Sequence, residues 1–232
     1  MHSMSCWFCR YGYTNRCGKS LALGTQQIDG GQAQFVRVPD ADGTLLLAPP
    51  HMGDGLLVMM SDIFPTGYYG AMRAIEYFQQ PGGQVPPTWS DSSSVKPFKR
   101  FFEKQPLSET VFVCIGCGIV GLCGILTASV KGVGTVFGVD SVDDRLEQGA
   151  KMGGTPLKLG KDDINGIVLA ATNGRGADAV IESVGNQLAL RSAFDLLRPC
   201  GVLSSVGFHQ GELPFTALEC YQKISSKESR AC

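Results

Sequence analysis

Charge of one sign, histidine and long apolar runs are what this sequence has little of. Its 20 Lys and Arg are balanced by 21 Asp and Glu, for a net charge of −1, so no general electrostatic attraction favours nucleic acid or an anionic membrane as a partner. No apolar run is long enough to span a bilayer. Met1–Arg10 lacks the basic start and following apolar stretch of a secretory signal, which makes the cytoplasm the expected compartment. Histidine occurs only at His2, His51 and His209.

What is present is the composition of an ordinary globular protein, 44% hydrophobic and 18% charged over 232 residues. That length buries a sizeable core in one or two domains. The 30 glycines signal tight turns and close backbone approaches. The nine cysteines are an odd number. Cys114, Cys117 and Cys123 surround a glycine-rich turn, and Cys6, Cys9 and Cys17 form a short-spaced cluster. Without a secretory signal these positions suit thiols or a metal better than disulfides.

Three regions differ in pattern. Residues 1–61 carry the cysteine cluster and short β-like runs at Ala33–Val38 and Thr44–Ala48. From Thr66 to Phe78 the pattern turns helical, with Tyr68, Met72, Ile75 and Phe78 on one face. Residues 79–107 contain Pro81, Gly82, Gly83, Pro86, Pro87, Ser92, Ser93, Ser94 and Pro97, which preclude a long regular element. Lys96, Lys99, Arg100 and Lys104 then alternate with Phe98, Phe101 and Phe102. Such a stretch suits either an acidic partner or, more often, a mobile solvated insertion.

Beyond Thr110 the order is strand, helix, strand, helix. Apolar runs at Thr110–Ile115, Thr135–Val139, Ala179–Ile181 and Val202–Val206 are separated by helical segments, which predicts an α/β fold with a parallel sheet buried on both faces. Between the first run and its helix lies Gly116-Cys117-Gly118-Ile119-Val120-Gly121, a G-x-G-x-x-G turn. Such a turn alone is weak evidence of function. Here a strand precedes it, an apolar helix from Ile119 to Val130 follows, and Asp140 ends the next strand 19 residues after Gly121. That context is the Rossmann dinucleotide-binding fingerprint.

Each position has a physical role. Gly116 permits the sharp turn, Gly118 lets backbone approach a pyrophosphate, and Gly121 lets helix and sheet pack closely. The helix N-terminus, with Ile119 and Val120 in its first turn, offers unpaired N–H groups and a positive dipole end. Asp140 can accept both hydroxyls of an adenosine ribose and would repel a 2′-phosphate, so NAD is expected over NADP. A vestigial turn with a surface Asp140 is the bland alternative. S-adenosylmethionine enzymes share the glycine turn and acidic strand end, but usually without the third glycine at this spacing.

With that turn placed, the chain resembles the zinc-containing medium-chain alcohol dehydrogenases. Five segments carry the resemblance: Cys6–Cys17, Gly31–Pro39, Asp62-Ile63-Phe64-Pro65-Thr66-Gly67-Tyr68, Gly116–Asp140, and Glu182-Ser183-Val184-Gly185. The Asp62–Tyr68 form looks most like the branch containing glutathione-independent formaldehyde dehydrogenases. The resemblance implies a partial GroES-like, β-rich catalytic domain over 1–61. It also implies an NAD-binding Rossmann domain over 62–225 with an insertion at 79–107, and a tail at 226–232. The chain is expected to be truncated at its N-terminus and its C-terminus, or to be a degenerate paralogue.

The family holds a structural zinc with four thiolates spaced C-x2-C-x2-C-x7-C. Cys6, Cys9 and Cys17 match the last three, while Ser3 stands at the first; three free thiols are the alternative. Of the catalytic zinc ligands only Asp62 has a counterpart, and it reads equally well as a carboxylate at a helix start. Thr66 is implied to lie beside the nicotinamide, Arg145 near the adenosine ribose, and Val184, Val206 and Gly207 at strand ends on the nicotinamide side. A solvated Arg145 and core-packed valines are the alternatives. The implied reaction is NAD-dependent oxidation of a primary alcohol or hydrated aldehyde, with zinc as Lewis acid and hydride passing to nicotinamide. A homo-oligomer fits this family. A non-catalytic NAD-binding protein is the second reading. A zinc-independent reductase of the same superfamily is the third, against which the cysteine cluster argues. With the metal site incomplete, little alcohol turnover is expected.

Overall fold

The computed structural model describes residues 3–79 and 105–224. The basic–aromatic stretch and the mobility expected of it lie outside the described residues, apart from the flanking residues 79 and 105–107. The chain divides into two compact units, Met1–Leu57 and Val58–Cys232. Among the described residues no helix is long and apolar enough to cross a membrane.

In the first unit a short helix, α1 (Trp7–Arg10), and a 3-10 turn (Thr14–Arg16) bracket the cysteine cluster, and α2 (Ala41–Thr44) follows. The two runs expected as strands are not strands. Residues 33–38 are irregular, and Thr44 closes α2 before an irregular stretch. The only pairing in this unit, among the described residues, is the isolated antiparallel bridge Thr25–Ile28. The physical reason is visible in the exposure of Phe35 (89%), Leu46 (95%) and Leu47 (99%). Apolar alternation makes a strand only where a sheet neighbour takes its hydrogen bonds and a core takes its side chains. Helix α3 (Asp54–Met60) contains the boundary between the two units at Leu57.

In the second unit, α4 (Ile63–Gln79) is longer at both ends than the helical pattern from Thr66 to Phe78 suggests. The alternating order then runs β1 (Val111–Ile115), α5 (Ile119–Val130), β2 (Thr135–Asp140), α6 (Asp143–Lys151), β3 (Thr155–Lys158), α7 (Ile164–Ala171), β4 (Ala177–Glu182), α8 (Gln187–Leu196), β5 (Leu197–Ser205) and α9 (Ala217–Ile224). The five strands form one parallel sheet in the order β3-β2-β1-β4-β5. The strand β3 was not anticipated, because Pro156 lies inside it. It is an edge strand, where proline is tolerated.

Both faces of the sheet are covered, as the apolar runs predict. Phe112 and Cys114 point into one core with Ala71, Ala74 and Ile75 of α4 and Ile125 of α5. Val111, Val113 and Ile115 alternate to the opposite face, packing with Val168 of α7 and Ala193 and Leu196 of α8. All five β1 residues are consequently buried.

The strand order places a topological switch point between β1 and β4. The chain leaves the end of β1 toward β2 on one side, while β4 leads on to β5 on the other. The carboxyl ends of the two strands therefore frame a crevice, the general location of ligand sites in open α/β sheets.

Candidate functional site

The turn after β1 is shaped by contacts that only glycine allows. Gly116 has φ +92°, and its amide donates to the Val139 carbonyl at 2.8 Å. A Cβ on Gly121 would stand 1.8 Å from the Gly116 carbonyl oxygen and 2.9 Å from Ser183 Oγ, so helix α5 can approach the turn only without a side chain there. Ser183 Oγ donates to the Ile115 and Gly116 carbonyls at 3.1 and 3.0 Å. At Gly118 the situation reverses: a Cβ would meet no protein atom within 4 Å. That residue caps α5, whose first turn carries no acidic side chain. Ile119, in that turn, is half exposed. The open space at Gly118 beside unpaired helix N–H groups is a cradle fit for a pyrophosphate.

Asp140 ends β2 and is buried, with 7% exposure. Its Oδ2 accepts the Cys117 amide at 2.8 Å and its Oδ1 the Val142 amide at 2.9 Å. Arg145, on the exposed side of α6, brings Nη1 to 3.7 Å from Oδ2. Each carboxylate oxygen has a second lone pair, so the group can hold the turn and still accept hydroxyls. Cys114 and Cys117 are not candidates for chemistry, because burial pushes both thiols up, Cys117 to about 12.

Val184, Val206 and Gly207 gather at the carboxyl ends of β4 and β5. Val184 is half exposed rather than core-packed, and a side chain at Gly116 would strike its Cγ2 at 2.7 Å. A Cβ on Gly207 would lie 2.3 Å from the Gly185 amide nitrogen, so the two strand-end loops touch.

Residues to which the sequence reading gave no site role hold these loops together. Glu182 ends β4 with no exposed surface. Its Oε1 accepts the Val184 and Gly185 amides, each at 2.8 Å. Its Oε2 takes the Ser205 hydroxyl at 2.8 Å and His209 Nε2 at 2.7 Å. The available signal was a carboxylate ending an apolar strand, since a buried charge demands partners. His209, one of three histidines, is that partner.

Gly67 seats the start of α4 beside the first turn of α5; a Cβ there would fall 2.4 Å from the Val120 carbonyl oxygen and 2.6 Å from Cys123 Cβ. Its neighbour Thr66 donates its hydroxyl to Asp62 Oδ1 at 2.7 Å. Asp62 is exposed and belongs to no group of three or more ligating side chains among the described residues. The described residues thus do not fit a catalytic zinc.

The structural-zinc positions do assemble. The sulfurs of Cys6, Cys9 and Cys17 lie within 4.8 Å of one another. Ser3 Oγ is 3.5 Å from the Cys17 sulfur, so the residue at the first ligand position borders the cluster. Hydrogen bonds from the Ser3 hydroxyl and amide and the Lys19 backbone bring the Cys17 thiol down to about 6. Burial and hydrogen bonding with Cys6 and Cys17 push Cys9 up. Three thiols and a hydroxyl fit a zinc ion, more loosely than four thiolates would.

Residues 120–229 match the family model described as zinc-binding dehydrogenase. The chain is 41% identical over 220 residues to zinc-type alcohol dehydrogenase B of Aspergillus flavus, covering 94% of this chain and 46% of that protein. It is also 41% identical over 219 residues to the medium chain reductase/dehydrogenase ucsI of Acremonium sp, covering 94% and 67% respectively. Among solved structures, alcohol dehydrogenase TADH from Thermus sp. ATN1 superposes with a TM-score of 0.77 at 26% identity, over 96% of this chain and 57% of that one. The chain therefore spans about half to two thirds of the length of these relatives.

Proposed function

The chain belongs to the zinc-containing medium-chain alcohol dehydrogenase superfamily, and on that footing we propose that it binds NAD(H) as the cofactor-binding part of an NAD-dependent oxidoreductase. The reaction class is hydride transfer between a primary alcohol or hydrated aldehyde and the cofactor's nicotinamide. One observation carries the reading: the Gly118 cradle opens at the N-terminus of α5, and the Asp140 carboxylate is anchored to that same turn through Cys117. Pyrophosphate and adenosine ribose would then bind at neighbouring, hydrogen-bonded parts of one turn. A carboxylate at the ribose position favours a free 2′-hydroxyl over a 2′-phosphate.

The domain reading that accompanies this proposal is a Rossmann domain from about residue 62 and a zinc-lobe remnant before it. In that lobe Cys6, Cys9 and Cys17 would hold a zinc ion that stabilises the local fold. Thr66, whose hydroxyl donates to Asp62, would lie beside the nicotinamide, as the family resemblance implies.

A second reading, NAD(H) binding without turnover, is favoured by Asp62 belonging to no group of three or more potential metal ligands among the described residues. Fluorescence titration with NADH tests cofactor binding. NAD reduction with simple alcohols and formaldehyde in added zinc then separates the two readings: turnover supports the first, and binding without turnover the second.

A further inference from the structure

We propose that Glu182 and His209 form a positioning pair that sets the loops receiving the nicotinamide half of the dinucleotide. The inference rests on the NAD(H)-binding reading above. A dinucleotide lies across the crevice with one mononucleotide on each half of the sheet. Asp140, at the end of β2, claims the adenosine half for the β1–β3 side. The other half of the cofactor then falls on the ends of β4 and β5, where the loops after Glu182 and Ser205 come together.

The Glu182 carboxylate reaches both of these loops by hydrogen bonds. One oxygen gathers the Val184 and Gly185 amides at 2.8 Å and so sets the turn after β4. The other takes Ser205 at 2.8 Å and His209 at 2.7 Å and so draws in the segment after β5. The main chain repeats the link, with the Val206 and Gly207 amides donating to the Glu182 carbonyl at 2.9 and 3.1 Å. His209 is the outermost member, its side chain 20% exposed against none for Glu182. It ties down the far end of a segment whose Phe208 is otherwise 82% exposed.

This geometry separates two consequences. Among the described residues Asp140 bonds Cys117, Val142 and Arg145 rather than the pair, whereas Val184, Val206 and Gly207 are placed by it. Loss of the His209 bond should therefore loosen the nicotinamide end while leaving the adenosine end intact. A role confined to general stability would weaken both alike.

The test compares NADH with ADP-ribose, which lacks nicotinamide, by calorimetric titration of the full chain. His209→Ala is expected to weaken NADH about tenfold and to leave ADP-ribose within about twofold. His209→Gln, which keeps an N–H to donate to Glu182, is expected to restore most of the loss. Should the alanine variant fail to fold by circular dichroism, His209→Asn takes its place in the same comparison. Equal losses for both ligands, or no loss for either, overturns the positioning pair while leaving cofactor binding in place. A wild-type chain that binds neither ligand overturns the NAD(H) reading, and the pair with it.

Discussion

The Oδ2 atom of Asp140 accepts the backbone amide of Cys117 at 2.8 Å, so the acid at the end of β2 and the glycine turn after β1 are one structure. A second amide, from Val142, reaches Oδ1 at 2.9 Å. Asp140→Ser removes a buried acceptor from both, and hydrogen bonds to charged groups contribute about 1.5–3 kcal/mol each. The variant should lose about 2–3 kcal/mol of stability in urea unfolding, besides narrowing the gap between NADH and NADPH. Asp140→Asn, which keeps one oxygen acceptor, should lose less. Unchanged stability in the serine variant would contradict this anchoring.

The glycines of the turn should separate by phenotype. Gly118→Ala places a methyl where no protein atom lies within 4 Å, so the fold should survive with only the modest cost of a poorer helix cap, about 0.5–1 kcal/mol. NADH affinity should nonetheless fall at least about tenfold, because the methyl occupies the pyrophosphate cradle. Gly121→Ala drives a methyl to 1.8 Å from the Gly116 carbonyl and should damage folding itself, by about 1–3 kcal/mol or more. Thermal melts paired with titrations distinguish the two; a Gly118→Ala protein binding NADH like wild type would count against the cradle.

Gly67 predicts a stability effect at the seam between α4 and α5. Its substitution by Ala meets backbone at 2.4 and 2.9 Å and Cys123 Cβ at 2.6 Å, which no flexible side chain can relieve. Helices α4 and α5 must separate, and a loss of about 1–3 kcal/mol is expected in denaturant unfolding. An alanine variant as stable as wild type would mean that the two helices do not pack this closely.

The cysteine cluster should bind zinc weakly and become a tight site on Ser3→Cys. Competition with a chromophoric chelator should show at least about a tenfold gain. Thiolates must lose their protons to ligate. Cys17 does so from about 6, whereas Cys9 is pushed up. Affinity should therefore keep rising with pH above neutrality, limited by Cys9, instead of levelling once Cys17 is ionised. A plateau already reached near pH 7 would contradict that order.

What the sequence shows and what it hides follow from the range of the forces involved. The Gly116–Gly121 turn and Asp140 were legible because local sterics and a fixed spacing dictate them, and β1, β2 and β4 because burial on both faces leaves an unbroken apolar run. The start of β5 was hidden by Arg198-Pro199-Cys200-Gly201, which reads as a turn; Cys200 indeed has φ +55°, and the pairing with β4 shifts register there. Ala33–Val38 misled in the opposite direction, since alternation says nothing about whether a sheet neighbour exists. Glu182 and His209 are 27 residues apart and belong together only once β4 and β5 are adjacent. No local pattern could have paired them.

The central claim is that this chain binds NAD(H) through the Gly118 cradle and the Asp140 carboxylate, and paired titrations of NADH and NADPH test it most directly. The account predicts saturable NADH binding at least about tenfold tighter than NADPH, a difference of about 1.4 kcal/mol. Equal affinities, or tighter binding of NADPH, would contradict the assignment of Asp140 to a free ribose 2′-hydroxyl.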